Sequence, residues 1–386
     1  LHPHPAKRDL DSSLVGSEMC IRDSLRPRRR LARRRHRHDE NGVSTLRNRR
    51  VVVTEHGGPE VLQVIEEAPP VPRNGEARVR VLAAGVSAFD LIYRRWPHLP
   101  GSPDLPFTLG EDIVGVIDCL GEGAEGLEEG QLVAAATWAG GIGGGYSEYV
   151  SLPVSELVPV PAGVDPAEAV CVVVNYLTAH LHLHQYGQVQ PNERLLVHGA
   201  AGGVGTALLE LGRLAGLEMY GTAGRDDHDL LTALGATPID YQRDDFVKRI
   251  RQLTNDGVDV VIDPVGGAKH LWDSYRCLRR GGRLVWLGSA ATETQGLRTG
   301  PLSMAMVQLL KVVPDRKRVP ACPTTDKQAR KHPDWYRTTL RDLLGLVANG
   351  DLAPVVAERI PLTEASRAHQ LLECGQYNGK FVLVTQ

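Results

Sequence analysis

The first residues with chemistry in their spacing are Gly199-Ala200-Ala201-Gly202-Gly203-Val204-Gly205, directly after the apolar run Leu195-Leu196-Val197-His198 and directly before an amphipathic stretch predicted as a helix over Gly203–Leu214. Glycines at a strand-to-helix turn let the backbone approach a pyrophosphate. The helix's unpaired N–H groups and positive dipole end then stabilise the charge. Alone, such a string also fits a tight turn; between a strand and a helix it reads as a dinucleotide-binding turn lined by Ala201, Gly202, Gly203, Val204 and Gly205. The next strand bears on which nicotinamide cofactor is used, because an NAD site places a carboxylate at its end to bind the ribose hydroxyls. Here it ends Tyr220-Gly221-Thr222-Ala223-Gly224-Arg225, with no carboxylate before Asp226. Small residues leave room for a 2′-phosphate and Arg225 can pair with it, so NADPH is the expected cofactor, with Gly224, Arg225, His228 and Gly288 as further contacts. The alternative is that Arg225 is a solvated loop charge and Asp226 or Asp227 reaches the ribose.

The elements that must position this turn follow from hydrophobic rhythm. From Val51 to about residue 160, short β-branched runs (51–53, 77–82, 113–117 and 131–135) are punctuated by Gly and Pro, which predicts a β-barrel-like domain. From Leu195 the rhythm becomes strand, turn and long amphipathic stretch, repeated: a helix over Gly203–Leu214, a strand at 218–222 and a helix at 227–234. Buried parallel strands at Val258–Asp263 and 283–287 continue it, with a helix at 268–280 between them. After about residue 310 the pattern turns irregular and basic. Helical periodicity resumes at 336–348 and 363–374, and the chain closes on the strand Lys380–Val384.

These segments carry a resemblance. His56-Gly57-Gly58-Pro59-Glu60-Val61-Leu62, Ala84-Gly85-Val86-Ser87-Ala88-Phe89-Asp90, Leu105-Pro106-Phe107-Thr108-Leu109-Gly110-Glu111-Asp112 and Gly145-Tyr146-Ser147-Glu148-Tyr149-Val150 come first. Leu177-Thr178-Ala179, the turn at 199–205, Asp263-Pro264-Val265-Gly266-Gly267 and Gly379-Lys380 follow in order. From about residue 49 to 386 the chain resembles the zinc-independent medium-chain dehydrogenase/reductases of the quinone oxidoreductase (zeta-crystallin-like) group. The resemblance implies an α/β protein: a GroES-like β-barrel catalytic domain built from both ends of the chain (49–171 and 311–386), a Rossmann doubly wound parallel sheet over 172–310, and a homodimer. Residues 303–335 look like an insertion near the vesicle amine transport protein-like branch. Thr178 matches the position that relatives place near the nicotinamide, and Lys380 belongs to the matching C-terminal motif, so both are expected at the cofactor.

Zinc-dependent relatives polarise an oxygen with a metal held by Cys and His. The expected first Cys falls at Ser87 and the expected His at Glu111, and no four-cysteine cluster lies between Cys119 and Cys171, so no metal is expected. His180 and His184 share a helical face, with His182 between them, but no carboxylate or third ligand is spaced to complete a site. Without a Lewis acid, a quinone or activated enone is the natural hydride acceptor, since its charge delocalises, and the chemistry needs mainly positioning. Asp90 and Ser87 occupy a segment where relatives carry Asn-x-x-Asp, and Tyr93 is a nearby phenol; these three are the candidate catalytic residues. Glu111 and Asp112 read as a structural pair of acids.

The 386 residues hold 44 Lys plus Arg against 46 Asp plus Glu, a balance that points to neither nucleic acid nor an anionic membrane as main partner. Residues 1–50 are basic, with 14 cations and 6 anions, and residues 26–37 contain eight arginines without apolar periodicity, predicting a disordered tail over 1–48. Residues 12–23 resemble a translated sequencing-adapter string, which would make the tail non-native and Val43 a candidate start. Six scattered cysteines favour a reducing, cytoplasmic setting, and no apolar run approaches the roughly 20 residues of a membrane span. Three functions follow: an NADPH-dependent quinone reductase, a reductase of α,β-unsaturated carbonyls or enoyl thioesters, and a non-catalytic NADPH-binding protein associated with vesicles or RNA.

Overall fold

The structure is a computed structural model describing residues 46–97, 103–138, 144–288, 299–375 and 377–385. The chain divides into Leu1–Thr45 and Leu46–Gln386; of the tail expected over 1–48, residues 1–45 lie outside the described residues, whereas Asn48 is buried and opens the first strand, so the tail ends earlier than expected.

The first domain contains β1 (Asn48–Val53), β2 (Leu62–Glu67), β3 (Glu76–Gly85), β4 (Phe107–Thr108), β5 (Asp112–Leu120), β6 (Leu132–Ala136), β7 (Tyr149–Pro153) and β8 (Val158–Pro159), with helix α1 (Ala88–Arg95) after β3. β1 pairs antiparallel with β2 and β4. β3 is the hub of the larger sheet, pairing with β5 along one edge and, over Glu76–Arg80, with β7 along the other. Its side chains are buried almost throughout because both faces are covered; Val79, Val81, Ile113, Ile117 and Tyr146 pack in one core. Each fully buried Val or Ile contributes about 1.5–3 kcal/mol.

Residues 166–186 form one continuous helical run between the domains. It opens with Pro166 behind the Asp165 N-cap, is α-helical at α2 (Pro166–Cys171) and α3 (Leu177–His180), and relaxes to π-turns at Val172–Tyr176 and Leu181–Tyr186. A π-turn shifts side-chain phase, and here the largely buried run buries Leu177, Leu181 and Leu183 together with the polar Asn175, Thr178 and His182.

The second domain is a five-stranded parallel sheet of β9 (Arg194–Val197), β10 (Glu218–Ala223), β11 (Ala236–Asp240), β12 (Val258–Asp263) and β13 (Leu278–Trp286), in the order β11-β10-β9-β12-β13. Helices α4 (Gly203–Leu214), α5 (His228–Ala233), α6 (Phe246–Thr254) and α7 (Ala268–Cys277) connect its strands. The order reverses between β9 and β12, so the crevice outside their carboxyl ends is where an open α/β sheet binds ligands. β13 begins at Leu278 rather than near 283, and α7 ends at Cys277 rather than 280. Arg279 pairs with Asp259 of the neighbouring strand and draws this polar segment into the sheet.

The chain then runs through α8 (Thr299–Lys311), α9 (Thr325–Lys331) and α10 (Pro333–Ala348), and returns to the first domain as β14 (Val356–Pro361), α11 (Ala365–Cys374) and β15 (Lys380–Val384). β15 pairs with β3, completing the sheet order β14-β15-β3-β5-β6-β8. The expected irregular basic stretch after residue 310 instead contains α9, which carries Asp326 in its first turn and Arg330 and Lys331 in its last, charges that suit the helix dipole. Among the described residues no helix is long and apolar enough to cross a membrane.

Candidate functional site

The glycine-rich turn sits at the carboxyl end of β9, on the crevice. A Cβ on Gly205 would collide with the Gly199 carbonyl oxygen, so only glycine lets α4 pack this closely on the turn, whereas a Cβ on Gly202 would meet only that same oxygen, at 3.5 Å. The backbone at Gly202 is therefore open to a ligand, as a phosphate cradle requires. Gly202 caps α4 with no side chain, leaving the amides of Gly203, Val204 and Gly205 without a side-chain acceptor at the positive end of the helix. The turn is pinned from two sides: Ala200 N–H donates to the Thr222 carbonyl (3.0 Å), and Gly379 N–H donates to that of Ala201 (2.9 Å).

Beneath it lies a polar network that sequence reasoning missed. His198 Nδ1 meets Thr222 Oγ1 at 3.0 Å and its Nε2 meets Ser274 Oγ at 3.1 Å; Ser274 and His270 Nδ1 converge on Asp263 Oδ2 at 2.7 and 2.9 Å. Asp263 Oδ1 accepts the N–H groups of Val265 and Gly266, both at 2.9 Å. Burial alone would raise Asp263, but His270 and His198 beside it hold the carboxyl well below its ordinary value. Burial, and then His270, push the His198 imidazole down to about 3. By residue type His198, Asp263 and His270 could ligate a cation. Both nitrogens of His198 and both oxygens of Asp263 are already engaged, so the set fits a hydrogen-bonded floor that fixes Thr222, and through it the turn. The signal was in plain view, as Asp263 closes β12 and His198 directly follows β9.

At the end of β10, Gly224 leads into Arg225, which is exposed, as is Asp226. Asp227 is partly buried and, with the Asn378 amide turned to suit both of its neighbours, accepts that amide's N–H at 2.9 Å. Among the described residues His228 Nε2 is a buried polar atom without a partner. The arrangement thus offers one cation and one unsatisfied imidazole nitrogen beside the phosphate cradle, while Asp227 is already occupied. These features fit a phosphorylated dinucleotide.

Of the three candidate catalytic residues, Ser87 and Asp90 lie at the start of α1 and Tyr93 in its second half. Ser87 is its N-cap in a reciprocal capping box: Asp90 N–H donates to Ser87 Oγ (3.3 Å) and Ser87 N–H donates to Asp90 Oδ2 (2.8 Å). Asp90 also accepts Gly110 N–H (2.9 Å) and the Tyr146 hydroxyl (3.2 Å) and is fully buried. Arg94 NH1 donates to His369 Nδ1 (3.0 Å), which puts the imidazole proton on Nε2 facing Tyr146 (3.1 Å). The structure therefore corrects the expectation for Asp90: its oxygens are consumed in holding α1 and Gly110 in place, and it has no face toward a substrate. Lys380 is corrected likewise. Its ammonium is buried against Asp112 at 2.6 Å, with side-chain exposures of 2% and 0%, so it ties β15 to β5 instead of reaching for a cofactor.

Ser87, Tyr93 and Glu111 are each only partly buried. Ser87 Oγ lies 3.0 Å from Glu111 Oε2, and Trp138 Nε1 donates to Glu111 Oε1 at 3.3 Å. Burial, and then the charges of Glu111 and Asp326, raise the Tyr93 phenol. Thr178 Oγ1 is 2.8 Å from Thr325 Oγ1, Gln328 reaches Gln185 at 3.0 Å, and Arg330 donates to the Trp138 carbonyl at 2.6 Å. Helix α9 thus bridges the helical run at 177–185 to Trp138, joining the two domains beside the crevice. Gly288, just past β13, lies near the Pro264 carbonyl and accepts from its own neighbour Trp286 Nε1. His180 and His184 lie with ring centres 4.6 Å apart, tilted by 52°, and burial lowers both.

A sheet completed by the C-terminal strand, joined to a parallel sheet with a phosphate-type turn at its reversal, is the two-domain architecture of nucleotide-dependent dehydrogenases and reductases. Residues 73–162 match the alcohol dehydrogenase GroES-like domain family, and residues 234–383 match a family described as zinc-binding dehydrogenase. A quinone oxidoreductase from Pseudomonas aeruginosa is 32% identical over 341 residues, covering 87% of this chain and 99% of that one. The synaptic vesicle membrane protein VAT-1 homolog of Rattus norvegicus is 35% identical over 255 residues, and the match spans only 60% of its length and 65% of this chain. Among solved structures, the Escherichia coli quinone oxidoreductase complexed with NADPH matches with a TM-score of 0.76 and 29% identity, over 87% of this chain and 99% of that one. The chain belongs to the zinc-independent medium-chain dehydrogenase/reductases, in the quinone oxidoreductase family. Its donor set agrees with that placement: Ser87 and Glu111, hydrogen-bonded to each other, offer neither thiolate nor imidazole for zinc.

Proposed function

We propose that this protein is an NADPH-dependent oxidoreductase that reduces a quinone in the crevice between its two domains. The observation that carries the reading is the open turn at Gly202 facing the uncapped amides of α4, with exposed Arg225 and the unpartnered His228 Nε2 beside it. Gly202, Gly203 and Val204 would hold the pyrophosphate and Arg225 and His228 the 2′-phosphate; Thr178, buried with its hydroxyl on Thr325, would act at the nicotinamide end only by packing. The cofactor, when bound, supplies a hydride. The chain's own part is to fix geometry and exclude water. The Asp263 and His198 network holds the turn rigid, the Lys380–Asp112 pair ties the C-terminal strand to the sheet behind Glu111, and α9 covers the crevice between Thr178 and Trp138.

The NADPH complex of the E. coli relative and the full-length match to the P. aeruginosa relative support this reading. An enone acceptor would use the same groups. Leu302, Met304, Leu309 and Val312, apolar and exposed on and just after α8, support assembly as a homodimer. The test is oxidation of NADPH and NADH by purified protein across a panel of quinones and enones, with metal content and mass measured on the same sample. NADPH-dependent turnover favouring quinones is expected; binding of neither reduced nucleotide would overturn the reading.

A further inference from the structure

Three carboxylates, Asp90, Glu111 and Asp112, meet at the crevice end of the first domain, and one cation, Lys380, faces them. Lys380 is spent on Asp112. Asp90 is compensated by two backbone N–H groups and the Tyr146 hydroxyl. Glu111 has the Ser87 hydroxyl and the Trp138 indole N–H as partners, sits beside Asp90 and Asp112 and near Tyr93, and feels Lys380 only across the ion pair that Lys380 makes with Asp112. Burial raises all three carboxyls, and the least compensated of them holds its proton to the highest pH. Burial, and then the Asp90 charge, push Glu111 up to about 8.

The hydrogen bond to Ser87 gives this proton a direction. When Glu111 is ionised, the Ser87 hydroxyl donates to Oε2. When Glu111 is protonated, Oε2–H donates to Ser87 Oγ, which also accepts Asp90 N–H at 3.3 Å, so both serine lone pairs are filled and its own O–H is free to donate elsewhere.

We propose that Glu111 stores the proton for the substrate oxygen and that Ser87 relays it. This rests on the reductase reading above, in which the quinone takes a hydride from the reduced nicotinamide and one proton from elsewhere. The Ser87 O–H bond breaks as the substrate O–H bond forms. The Glu111 Oε2–H bond breaks as the serine O–H re-forms, and the carboxylate regains its proton from water. The hydride brings both electrons, so the product is the hydroquinone. Glu111 acts through Ser87 and is in that sense a positioning residue.

The test compares wild type with Glu111→Gln, which keeps the shape and the Trp138 bond but has no proton to give. Turnover should fall about a hundredfold below the titration point, the size usual for general acid catalysis, with KM little changed. The alkaline limb of the wild-type pH profile, centred at about 8, should vanish in the variant. Ser87→Ala should be slow and Ser87→Thr should recover. A readout independent of turnover is the infrared carbonyl stretch of a protonated carboxyl in cofactor-free protein, present one unit below that pH, lost one unit above, and missing from Glu111→Gln. A carboxyl ionised throughout, or a variant with the wild-type pH profile, would overturn the inference. A titrating carboxyl in a protein that binds NADPH but reduces no quinone or enone would sustain the proton store and sink the reductase reading instead.

Discussion

Arg225→Ala tests the cofactor assignment most directly. Arg225 is exposed at the end of β10, and among the described residues no side chain pairs with it, so its removal breaks no structural contact. A charge-assisted hydrogen bond is worth about 1.5–3 kcal/mol when truncated, and solvent exposure places this one at the lower end. At 1.4 kcal/mol per factor of ten, the NADPH dissociation constant should rise about tenfold to thirtyfold. NADH, which lacks the 2′-phosphate, should bind as before. Arg225→Asp should go further, repelling the phosphate while offering an acceptor to the ribose hydroxyls, and should shift preference toward NADH. The assay is titration of reduced-nucleotide fluorescence at low and high salt; the Arg225 contribution should shrink as the Debye length falls to about 10 Å near 0.1 M. Equal weakening of both nucleotides, or of neither, would refute the assignment. Loss of NADH affinity in Asp226→Asn or Asp227→Asn would show instead that a carboxylate reads the ribose.

The remaining predictions concern the scaffold behind the site. Lys380→Met strands Asp112 in the core and should cost about 3–5 kcal/mol by urea unfolding, whereas pairing it with Asp112→Leu should recover most of the loss. Asp263→Ala removes the acceptor shared by His270 and Ser274 and should weaken NADPH and NADH alike by about tenfold, since it loosens the phosphate turn and leaves Arg225 untouched. Acid should destabilise the protein well above the carboxylate range. His369 and His198 are held down to about 3, and His180 and His182 to about 4, all chiefly by burial, while the unfolded chain binds protons from about pH 6.5. Between those limits the unfolded state carries more protons, so stability is complete above about 6.5 and lost as pH falls, by about 1.4 kcal/mol per pH unit for each such histidine. Urea midpoints measured across that window should therefore drop steeply, and His369→Gln should flatten the slope; a flat profile in wild type would contradict neutral burial.

What could be read from the sequence was whatever depends on local order. The helix at Gly203–Leu214 and the strands Val258–Asp263 and Lys380–Val384 fall where periodicity put them, because a glycine turn or an uninterrupted β-branched run marks both ends. The helical run at 166–186 carries a start signal in Asp165-Pro166, but it is buried on most sides and its polar residues Asn175, Thr178 and His182 are buried with the apolar ones, so it shows no clean amphipathic period to detect. Side-chain roles failed for a related reason. Asp90 and Lys380 look available in a motif, but what decides their use are Gly110 and Tyr146 in one case and Asp112 in the other, partners 20 to 268 residues away. The same logic raises Glu111 from a structural acid to a proton store. Among three carboxyls facing one ammonium, the chemistry falls to the one that long-range pairing leaves uncompensated, and no spacing rule along the chain identifies it.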